Sequence, residues 1–330
     1  MRANLQCGMP RILVIKTSSM GDVIHNLPTI TDIQRNIPDV TIDWVVEEAF
    51  SPIAALHPAV GKIIPVAVRR WRSSFVHAAT VKQMRSFRGA LRAETYDVVL
   101  DTQGLIKSAA IALLAQGERR GYDWASAREP LASWFYHRRY AIDRRLHAVE
   151  RNRLLTARAL GYEIQHGEAD YGIAAPAEPL HGLTEKPYAV LLHATSRQDK
   201  LWPDGDWIAL GKRLREAGIH CLLPWGTTQE KARSERLAQA LPGAQVPTAL
   251  TLGDAACLLA HAAMVVGVDT GLTHLAAALN ANVVAIYVAT APELTGLYAG
   301  KHAVNLGTAH KPPSVIEVWR AAARLMDTRA

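Results

Sequence analysis

An aspartate in a loop of small residues is the first candidate for chemistry in this sequence. In RILVIKTSSMGDVIHNLP an apolar run ends at Ile15, small polar residues follow, and a helical pattern opens at Asp22. Loops at the carboxyl ends of strands line the ligand site in open α/β sheets. Because Ser18, Ser19 and Gly21 would let a ligand approach closely, Asp22 is a candidate general base. The same position suits a helix-capping acid, worth about 0.5 to 2 kcal/mol, and position alone leaves both roles open.

A second strand, loop and helix, VVGVDTGLTHLAAAL, predicts an anion site. The apolar run ends at Asp269, and Thr270 with Gly271 opens a helix. The free N–H groups and the positive dipole end of a helix N-terminus favour an anion. His274 follows Thr270 by about one helical turn and can reach the same ligand, although a lone histidine is more often structural. The string is neither a dinucleotide fingerprint nor a Walker loop.

A third loop, LLHATSRQDKLWP, adds a cation. Thr195, Ser196, Arg197 and Lys200 follow an apolar run. A cation beside an anion-binding helix end suggests neutralisation of a diphosphate. The alternative for Lys200 is an ordinary solvated surface lysine, the commoner role of any single lysine.

The next segment, WPDGDW, resembles the metal-binding Asp-x-Asp string of many sugar transferases. Asp204 and Asp206 offer carboxylate oxygens, which suit magnesium or manganese. Their position directly before the helical pattern WIALGKRL favours a helix cap instead. The sequence has no HExxH string and no paired His and carboxylate cluster at ligand spacing, so we predict no metal site.

Positive charge is concentrated in the first half of the chain. Up to Leu160 there are 23 Lys and Arg against 14 Asp and Glu, whereas the remainder has 14 against 16. No nucleic-acid motif accompanies this charge, so it suggests an anionic ligand or an anionic membrane surface. A solvated basic face with weak ion pairs is the alternative. The candidate cations are Arg69, Arg70, Arg72, Lys107, Arg119, Arg120, Arg128, Arg138 and Arg139.

The elements that must position these loops read as parallel sheets. Apolar runs alternate with helical stretches: RILVI, TIDWVV and YDVVLD, then YAVLLH, HCLLPW, AMVVGVD and NVVAIYV. Continuous apolar strands between helices indicate parallel sheets covered on both faces. VVLDTQGLIKSAAIALL and VVGVDTGLTHLAAAL echo each other, which supports the same kind of βα unit in both halves. The chain has 330 residues, more than a single hydrophobic core ordinarily holds, so its length predicts two domains.

The predicted domains are residues 1–186 and 187–330, with a linker near 163–186 rich in Gly, Pro and charge and a disordered extension at 1–10. Packing of the C-terminal helix back on the first domain is one option that this division allows. The N-terminal stretch has too short an apolar run for a signal peptide, and no run reaches about 18 residues. Three separated cysteines without a CxxC pair fit a reducing compartment. We therefore expect a cytoplasmic protein.

Several uncommon strings give the chain a family resemblance. KTSSMGDVIHNLP, DWVVEE, RRWR, DTQGLIKSA, AREPLAS, HAVER, HATSRQDKLWP, LPWG and VDTGLTHL span most of it. Together they resemble the lipopolysaccharide heptosyltransferases of glycosyltransferase family 9. The resemblance implies a GT-B fold, in which two Rossmann-like, doubly wound parallel-sheet α/β domains face a central cleft. RRWR and AREPLAS point to the enzyme of the first transfer step, and an enzyme acting one sugar later is the closest alternative.

That resemblance implies inverting transfer of heptose from ADP-heptose to the first Kdo sugar of Kdo-lipid A, with no cofactor required. By the family's motifs Asp22 is the general base and Lys200 replaces a metal at the leaving diphosphate. The implied donor contacts are Thr195, Ser196 and Lys200 on the diphosphate, backbone donors at Thr270 and Gly271, Asp269 and His274 on the heptose or diphosphate, Glu230 on the ribose and Leu250 on the adenine. The segment Tyr287 to Pro292 departs from the family's Gly-Pro-Thr-Asp-Pro string, so no contact is carried over to it.

The acceptor of that family is a phosphorylated glycolipid at an anionic membrane, and attraction to these negative charges would explain the positive charge of the first half. The acceptor candidates are Ser18, Ser19, Arg69, Arg70, Arg72, Gln103, Lys107 and Arg128. We expect a monomer with peripheral contact to the cytoplasmic face of the inner membrane, and no nucleic-acid partner.

Two other function classes share the predicted architecture. A two-domain sugar- or nucleotide-binding protein would close on its ligand without chemistry, but such proteins are usually exported. A nicotinamide-dependent oxidoreductase would need a glycine-rich fingerprint after the first strand, and KTSSMGD is not one.

Overall fold

The computed structural model describes residues 9–73, 77–164, 168–174, 178–180, 187–195, 197–298 and 300–327. The chain forms two compact units, Met1–Ile173 and Ala174–Ala330. The division falls inside the predicted linker, thirteen residues before the predicted boundary at 186 and 187. Most of the predicted extension, residues 1–8, and the donor candidate Ser196 lie outside the described residues. In the ranges described, no helix has the length and apolar character of a membrane span.

The first unit contains a six-stranded parallel sheet. Its strands are β1 (Arg11–Ile15), β2 (Thr41–Glu47), β3 (Val60–Val66), β4 (Thr95–Asp101), β5 (Gln116–Tyr122) and β6 (Arg138–Tyr140). Its α-helices are α1 (Met20–Ile24), α2 (Leu27–Asn36), α3 (Ser51–Ala54), α4 (Val68–Ser73), α5 (Ala78–Arg92), α6 (Ile106–Leu114) and α7 (Ala148–Leu160). Short 3₁₀ helices span Glu48–Phe50 and Pro130–Phe135.

The strand order of this sheet is β3-β2-β1-β4-β5-β6, so the order reverses between β1 and β4. This is the dinucleotide-fold order, whose ligands bind at the carboxyl ends of the two strands that flank the reversal. Ile15 at the end of β1 lies opposite Asp101 at the end of β4. The Asp22 loop and the loop that contains Gln103 therefore meet at one edge of the sheet.

The second unit contains a five-stranded parallel sheet. Its strands are β7 (Tyr188–Leu192), β8 (His220–Leu222), β9 (Met264–Val268), β10 (Val283–Ile286) and β11 (Ala303–Leu306). Its helices are α8 (Asp204–Glu216), α9 (Thr228–Gln239), α10 (Leu252–Ala260), α11 (Gly271–Ala278), α12 (Pro292–Thr295) and α13 (Val315–Asp327), with a 3₁₀ turn at Gln198–Lys200. The order β11-β10-β9-β7-β8 reverses between β7 and β9. The Lys200 and Asp269 loops follow these two strands.

Burial explains which strands could be predicted. The seven apolar runs correspond to β1, β2, β4, β7, β8, β9 and β10, so these predictions are confirmed. The strands β3, β5, β6 and β11 were missed because they lie towards the sheet edges and carry polar or half-exposed residues, as in QGERRGY of β5. The C-terminal helix α13 packs on α8 and the second sheet, with Val318, Ala322 and Leu325 in the core of that unit.

A buried histidine of the first unit predicts a pH dependence of stability. The Thr31 hydroxyl lies 2.9 Å from Nε2 of His57, and the Ala59 N–H donates to its Nδ1. Burial lowers the pKa of His57 to about 4, opposed by the charge of Asp170. The unfolded chain therefore binds the proton more tightly, so stability present above about pH 6.5 is lost as the pH falls towards 4.

Between pH 7 and pH 5 this histidine should cost about 2 kcal/mol of unfolding free energy. The measurement is urea unfolding of the wild type and His57→Asn at both pH values. The variant is expected to be less stable at pH 7 but to lose about 2 kcal/mol less on acidification. An equal loss in both proteins would assign the acid sensitivity to other groups.

Candidate active site

The loop after β1 places Asp22 at the start of α1. The Ser19 N–H and hydroxyl both donate to Oδ2 of Asp22, at 2.8 and 3.0 Å. Asp22 thus closes the first turn of the helix, the capping role that its position suggested. Its Oδ1 accepts no hydrogen bond within the described part of the chain, and the residue is only half-buried. One carboxylate oxygen therefore caps the helix while the other is available to a ligand.

The loop after β4 holds the Asp22 loop in place. Oε1 of Gln103 accepts the backbone N–H groups of Thr17 and Ser18, at 3.0 and 3.3 Å. The buried Lys16 ammonium donates to the carbonyl of Thr102 at 2.8 Å. Gln103, predicted to bind the acceptor, is itself buried and spends its side-chain oxygen on the backbone of the neighbouring loop. Its observed role is to position Ser18.

Cations surround Asp22. Burial lowers the pKa of Lys16 to about 8, and the charges of Asp22 and Asp101 partly oppose this shift. Burial also lowers the pKa of Lys107, with Glu47 and Asp22 opposing. The Lys107 ammonium donates to the Ser18 hydroxyl at 2.9 Å. Asp22 therefore lies within electrostatic reach of two lysines, so an anionic ligand bound beside it would meet positive charge.

The predicted arginines separate into two groups. Arg69, Arg70 and Arg72 lie on one short helix, α4. Arg69 and Arg72 are close enough to Lys107 for their charges to lower its pKa. Arg128 similarly acts on Lys16. Arg70 instead donates to both carboxylate oxygens of Glu48 at 2.9 Å, so its charge is already paired on the surface.

Of the other predicted cations, three are engaged inside the first unit. Arg120 and Arg138 both pair with Glu118, and Arg119 donates to the Phe135 carbonyl. For these three residues the alternative interpretation of the basic half, a basic face whose cations form ion pairs within the protein, fits better than binding of an anionic ligand. Arg139 is exposed, and its Nε lies 3.4 Å from the Tyr136 carbonyl.

The second unit gathers four side chains around Asp269. Lys200 and Thr290 donate to Oδ2 at 2.6 and 2.8 Å, and Nε2 of His274 lies 3.6 Å from Oδ1. The Thr195 hydroxyl donates to the Asp269 carbonyl at 3.3 Å. Burial opposes ionisation, but His274, Lys200 and Thr290 together hold the pKa of Asp269 well below its usual range. The carboxylate therefore stays charged and fixed, as the partner of the lysine.

The N-terminus of α11 adjoins this cluster. Thr270 is the N-cap residue, its side chain makes no capping hydrogen bond, and Gly271 is the first helical residue. Within the described residues the helix start thus keeps backbone N–H groups for a ligand. An ammonium and a helix N-terminus at one strand end form a site suited to a diphosphate.

The internal echo between the two halves proves to be architectural only. Asp101 ends β4 and Asp269 follows β9, and each of these strands flanks the reversal of its sheet. Asp101 is fully buried, where burial raises its pKa despite hydrogen bonds from Tyr136 and the Gln103 and Gly104 backbone. The two aspartates hold equivalent positions, but of the two only Asp269 forms a direct ion pair with a lysine.

A pocket of about 540 Å³ lies beside the Lys200 loop. Its walls include Thr195, Gln198, Asp204, Glu230, Arg233 and Arg236. The structure thereby brings together Thr195 and Glu230, two donor candidates that are 35 residues apart. Oε2 of Glu230 accepts the Gly226 and Thr227 N–H groups at the start of α9, and Oε1 has no partner among the described residues. Leu250 is half-buried just before α10 and is not part of this wall.

A slightly larger pocket, of about 570 Å³, is lined by residues of α8, β8 and the segment 240–244. It contains none of the predicted site residues. The candidate site therefore does not coincide with this second cavity.

The Asp204-Gly205-Asp206 segment forms the first turn of α8. The N-cap residue is Pro203 and no side chain caps the helix, so the predicted helix cap is wrong in detail: the two aspartates are acids of the first turn. Asp204 accepts from Nε and Nη2 of Arg233, at 2.8 and 2.6 Å. In the described ranges, no group of three His, Cys, Asp or Glu residues is arranged to hold a metal ion.

Five residues of these two sites were not predicted from the sequence. They are Lys16, Arg151 and Asn152 near Asp22, Thr290 beside Asp269, and Arg233 behind the Lys200 loop. Lys16 stands in the motif KTSSMGD, and its position between an apolar strand and a polar loop was the available signal. Thr290 lies in the loop that departs from the family string, so the motif could not indicate it.

Comparison with known proteins relates these sites to one enzyme family. The sequence model of glycosyltransferase family 9 (heptosyltransferase) matches residues 84–318. Lipopolysaccharide heptosyltransferase 1 of Escherichia coli K12 is 48% identical over 294 residues, covering 87% of this chain and 91% of that protein. Lipooligosaccharide heptosyltransferase 2 of Haemophilus influenzae is 26% identical over 313 residues, covering 86% and 85%.

A solved structure agrees with the sequence comparison. The structure of Escherichia coli heptosyltransferase WaaC with ADP-2-deoxy-2-fluoro heptose has a TM-score of 0.85 and 42% identity, and the match covers 97% of this chain and all of that one. The binding-protein and oxidoreductase alternatives are thereby set aside. This chain belongs to glycosyltransferase family 9, the heptosyltransferases.

Proposed function

We propose that this enzyme transfers L-glycero-D-manno-heptose from ADP-heptose to the first Kdo sugar of Kdo-lipid A, with inversion at the anomeric carbon. The observation that carries the proposal is the chemistry at the two strand-order reversals. One holds a carboxylate with a free oxygen among cations, and the other holds a lysine and a helix N-terminus suited to a diphosphate. A base for an acceptor hydroxyl and an electrophilic cradle for a nucleotide leaving group are the two needs of glycosyl transfer.

On the acceptor side, Oδ1 of Asp22 takes the proton of the attacking Kdo hydroxyl. The acceptor oxygen forms a bond to the anomeric carbon of heptose as the bond from that carbon to the diphosphate oxygen breaks. Ser19 donors hold the carboxylate in position, and Lys107 with Arg69 and Arg72 would contact anionic groups of the acceptor. Arg128 is also positively charged and lies near Lys16, so it would contact the acceptor as well.

On the donor side, Lys200 and the first N–H groups of α11 stabilise the charge that develops on ADP. This is the task that a divalent metal performs in other transferases, and we propose that no metal or cofactor is required. Thr195 would contact the diphosphate and Glu230 the ribose, because both line one pocket. Asp269 and His274 would bind the heptose hydroxyls, and Leu250 would contact the adenine.

The first transfer step is favoured over a later one by the size of the sequence difference. The Escherichia coli protein named heptosyltransferase 1 shares nearly half of its residues with this chain, whereas the Haemophilus influenzae protein named heptosyltransferase 2 shares about a quarter. Because the donor is common to both steps, the difference is expected to lie in acceptor recognition. The basic residues around Asp22 suit an acceptor that carries carboxylate and phosphate groups. The enzyme would act as a monomer at the cytoplasmic face of the inner membrane.

The test is release of ADP when the purified chain is mixed with ADP-heptose and Kdo-lipid A in EDTA. We expect acceptor-dependent ADP release and a product heavier by one heptose. A control with a heptosylated acceptor distinguishes the two steps. Release no faster than without acceptor would reject the proposed reaction, and preference for the heptosylated acceptor would assign the later step.

Removing the Lys107 ammonium should weaken acceptor binding selectively. In Lys107→Met we expect the acceptor KM to rise about tenfold, as for one lost charge-assisted hydrogen bond, with the donor KM unchanged. Lys82→Met on the exposed surface of α5 is the matched control and should change neither constant. Steady-state kinetics with each substrate varied decides the point. Equal changes in both KM values would place Lys107 outside acceptor recognition.

A further inference from the structure

Exposed apolar side chains are concentrated in one segment of the first unit. Ten large hydrophobic residues are exposed in the described parts of the chain, and six of them lie between residues 106 and 134. These six are Ile106, Leu113, Leu114, Trp124, Leu131 and Trp134. Single exposed hydrophobic residues need no explanation, but a concentration of this kind marks an interaction surface.

Helix α6 supplies half of this surface. Its exposed positions are Ile106, Ala110, Leu113 and Leu114, which recur at the spacing of one helical face. The opposite face, with Ala109 and Ala112, is buried. The outward face of a surface helix is ordinarily polar, so α6 is apolar on both sides.

The segment after β5 supplies the other half. The Trp124 and Trp134 rings lie 5.7 Å apart, and the two residues are 51% and 67% exposed. Beneath them, Ala109 of α6 packs with Ala132 and Tyr136, and the Ile106 N–H donates to Glu129. The helix and the tryptophan pair are therefore held together by their inner faces, with their apolar groups outward.

Positive charge accompanies these apolar groups. Residues 106–145 contain eight Lys and Arg against four Asp and Glu. Arg128 and Arg144 are exposed and have no carboxylate partner among the described residues. Exposed tryptophans bordered by arginines are the side chains that favour the interface of an anionic bilayer, because the rings enter the headgroup region while the cations contact phosphate.

We propose that this surface, formed by the outward side of α6 with Trp124, Leu131, Trp134 and the exposed arginines of the same segment, Arg128 and Arg144, is a docking site for an anionic phospholipid bilayer. The charge selects a lipid surface over a second copy of the chain, since two copies would bring like charges together. Lys107 follows Ile106 directly and reaches Ser18, so the docking site adjoins the acceptor loop. Only this last connection, to a lipid-linked acceptor, depends on the proposed function.

The test uses vesicles without donor or acceptor, so its result is independent of the transfer reaction. The purified full chain is sedimented with vesicles of phosphatidylcholine alone or of phosphatidylcholine with about 30% of the anionic lipid phosphatidylglycerol. We expect binding to the anionic vesicles, weakened but not abolished in about 0.5 M salt, because the apolar part is not screened. The pair Trp124→Gln and Trp134→Gln should bind at least about tenfold more weakly.

The matched control is the pair Leu294→Gln and Ile316→Gln, two exposed hydrophobic residues of the second unit, which should bind like the wild type. Equal binding by the tryptophan variant, or equal loss in both variants, would overturn the proposal. A dimer in gel filtration that dissociates in the tryptophan variant would instead make the surface a protein interface. Circular dichroism and ADP release with a detergent-dispersed acceptor verify that the variant is folded, and failure of all ADP release would count only against the proposed reaction.

Discussion

Replacing Asp22 with asparagine is expected to lower kcat by about 10²- to 10⁴-fold, the contribution of a positioned general base. The amide oxygen of asparagine can still accept the two Ser19 hydrogen bonds, so the start of α1 is retained. The place of the free Oδ1 atom is then taken by the amide NH₂ group, which cannot take a proton at neutral pH. Donor KM should change by no more than a few-fold. ADP release at saturating donor and acceptor measures the effect.

The chain contains a matched control for the capping role of Asp22. Asp254 accepts the Thr251 N–H and hydroxyl at 2.9 and 2.7 Å, in the same arrangement at the start of α10. Asp254→Asn should change stability by a similar amount, at most about 2 kcal/mol, and leave kcat near that of the wild type. If the two variants lost activity equally, the effect of Asp22 would be one of helix capping and the assignment as base would be wrong.

Replacing Lys200 with methionine should lower kcat by about 10²- to 10³-fold and raise the donor KM. The ammonium lies 2.6 Å from Oδ2 of Asp269 and beside the start of α11, where the leaving diphosphate would develop charge. Loss of one preorganised group that stabilises such charge typically has an effect of this size. Lys212→Met, on the exposed surface of α8, is the control and should behave as the wild type.

A double-mutant cycle separates two roles of Lys200. If the lysine served only to neutralise Asp269, the pair Lys200→Met and Asp269→Asn would be no worse than Asp269→Asn alone. If it also stabilises the leaving group, the pair should lose a further tenfold or more in kcat. Isothermal titration with ADP gives a second measurement, because direct contact with the diphosphate predicts weaker ADP binding in Lys200→Met.

The sequence by itself determined the apolar strands and the loops that carry chemistry. The seven strands predicted are those with continuous apolar runs, because a strand covered on both faces must be apolar throughout, as β7 and β9 are. The loops at Asp22, Lys200 and Asp269 were identified because each follows such a strand. The family motifs placed a function on these loops, which local patterns alone left open between capping and catalysis.

Tertiary structure decided which of these groups meet. Lys16 lies 3.4 Å from Asn152, 136 residues away, and Lys200 contacts Asp269 across 69 residues. Strand order sets the second contact, since β7 adjoins β9 through a crossover, and the first depends on the position of α7, which carries Asn152. No local pattern encodes which of these elements become neighbours. Thr290 and the polar edge strands were missed for the same reason. Their roles depend on neighbours distant in sequence, whereas the apolar pattern of a central strand is a property of the strand itself.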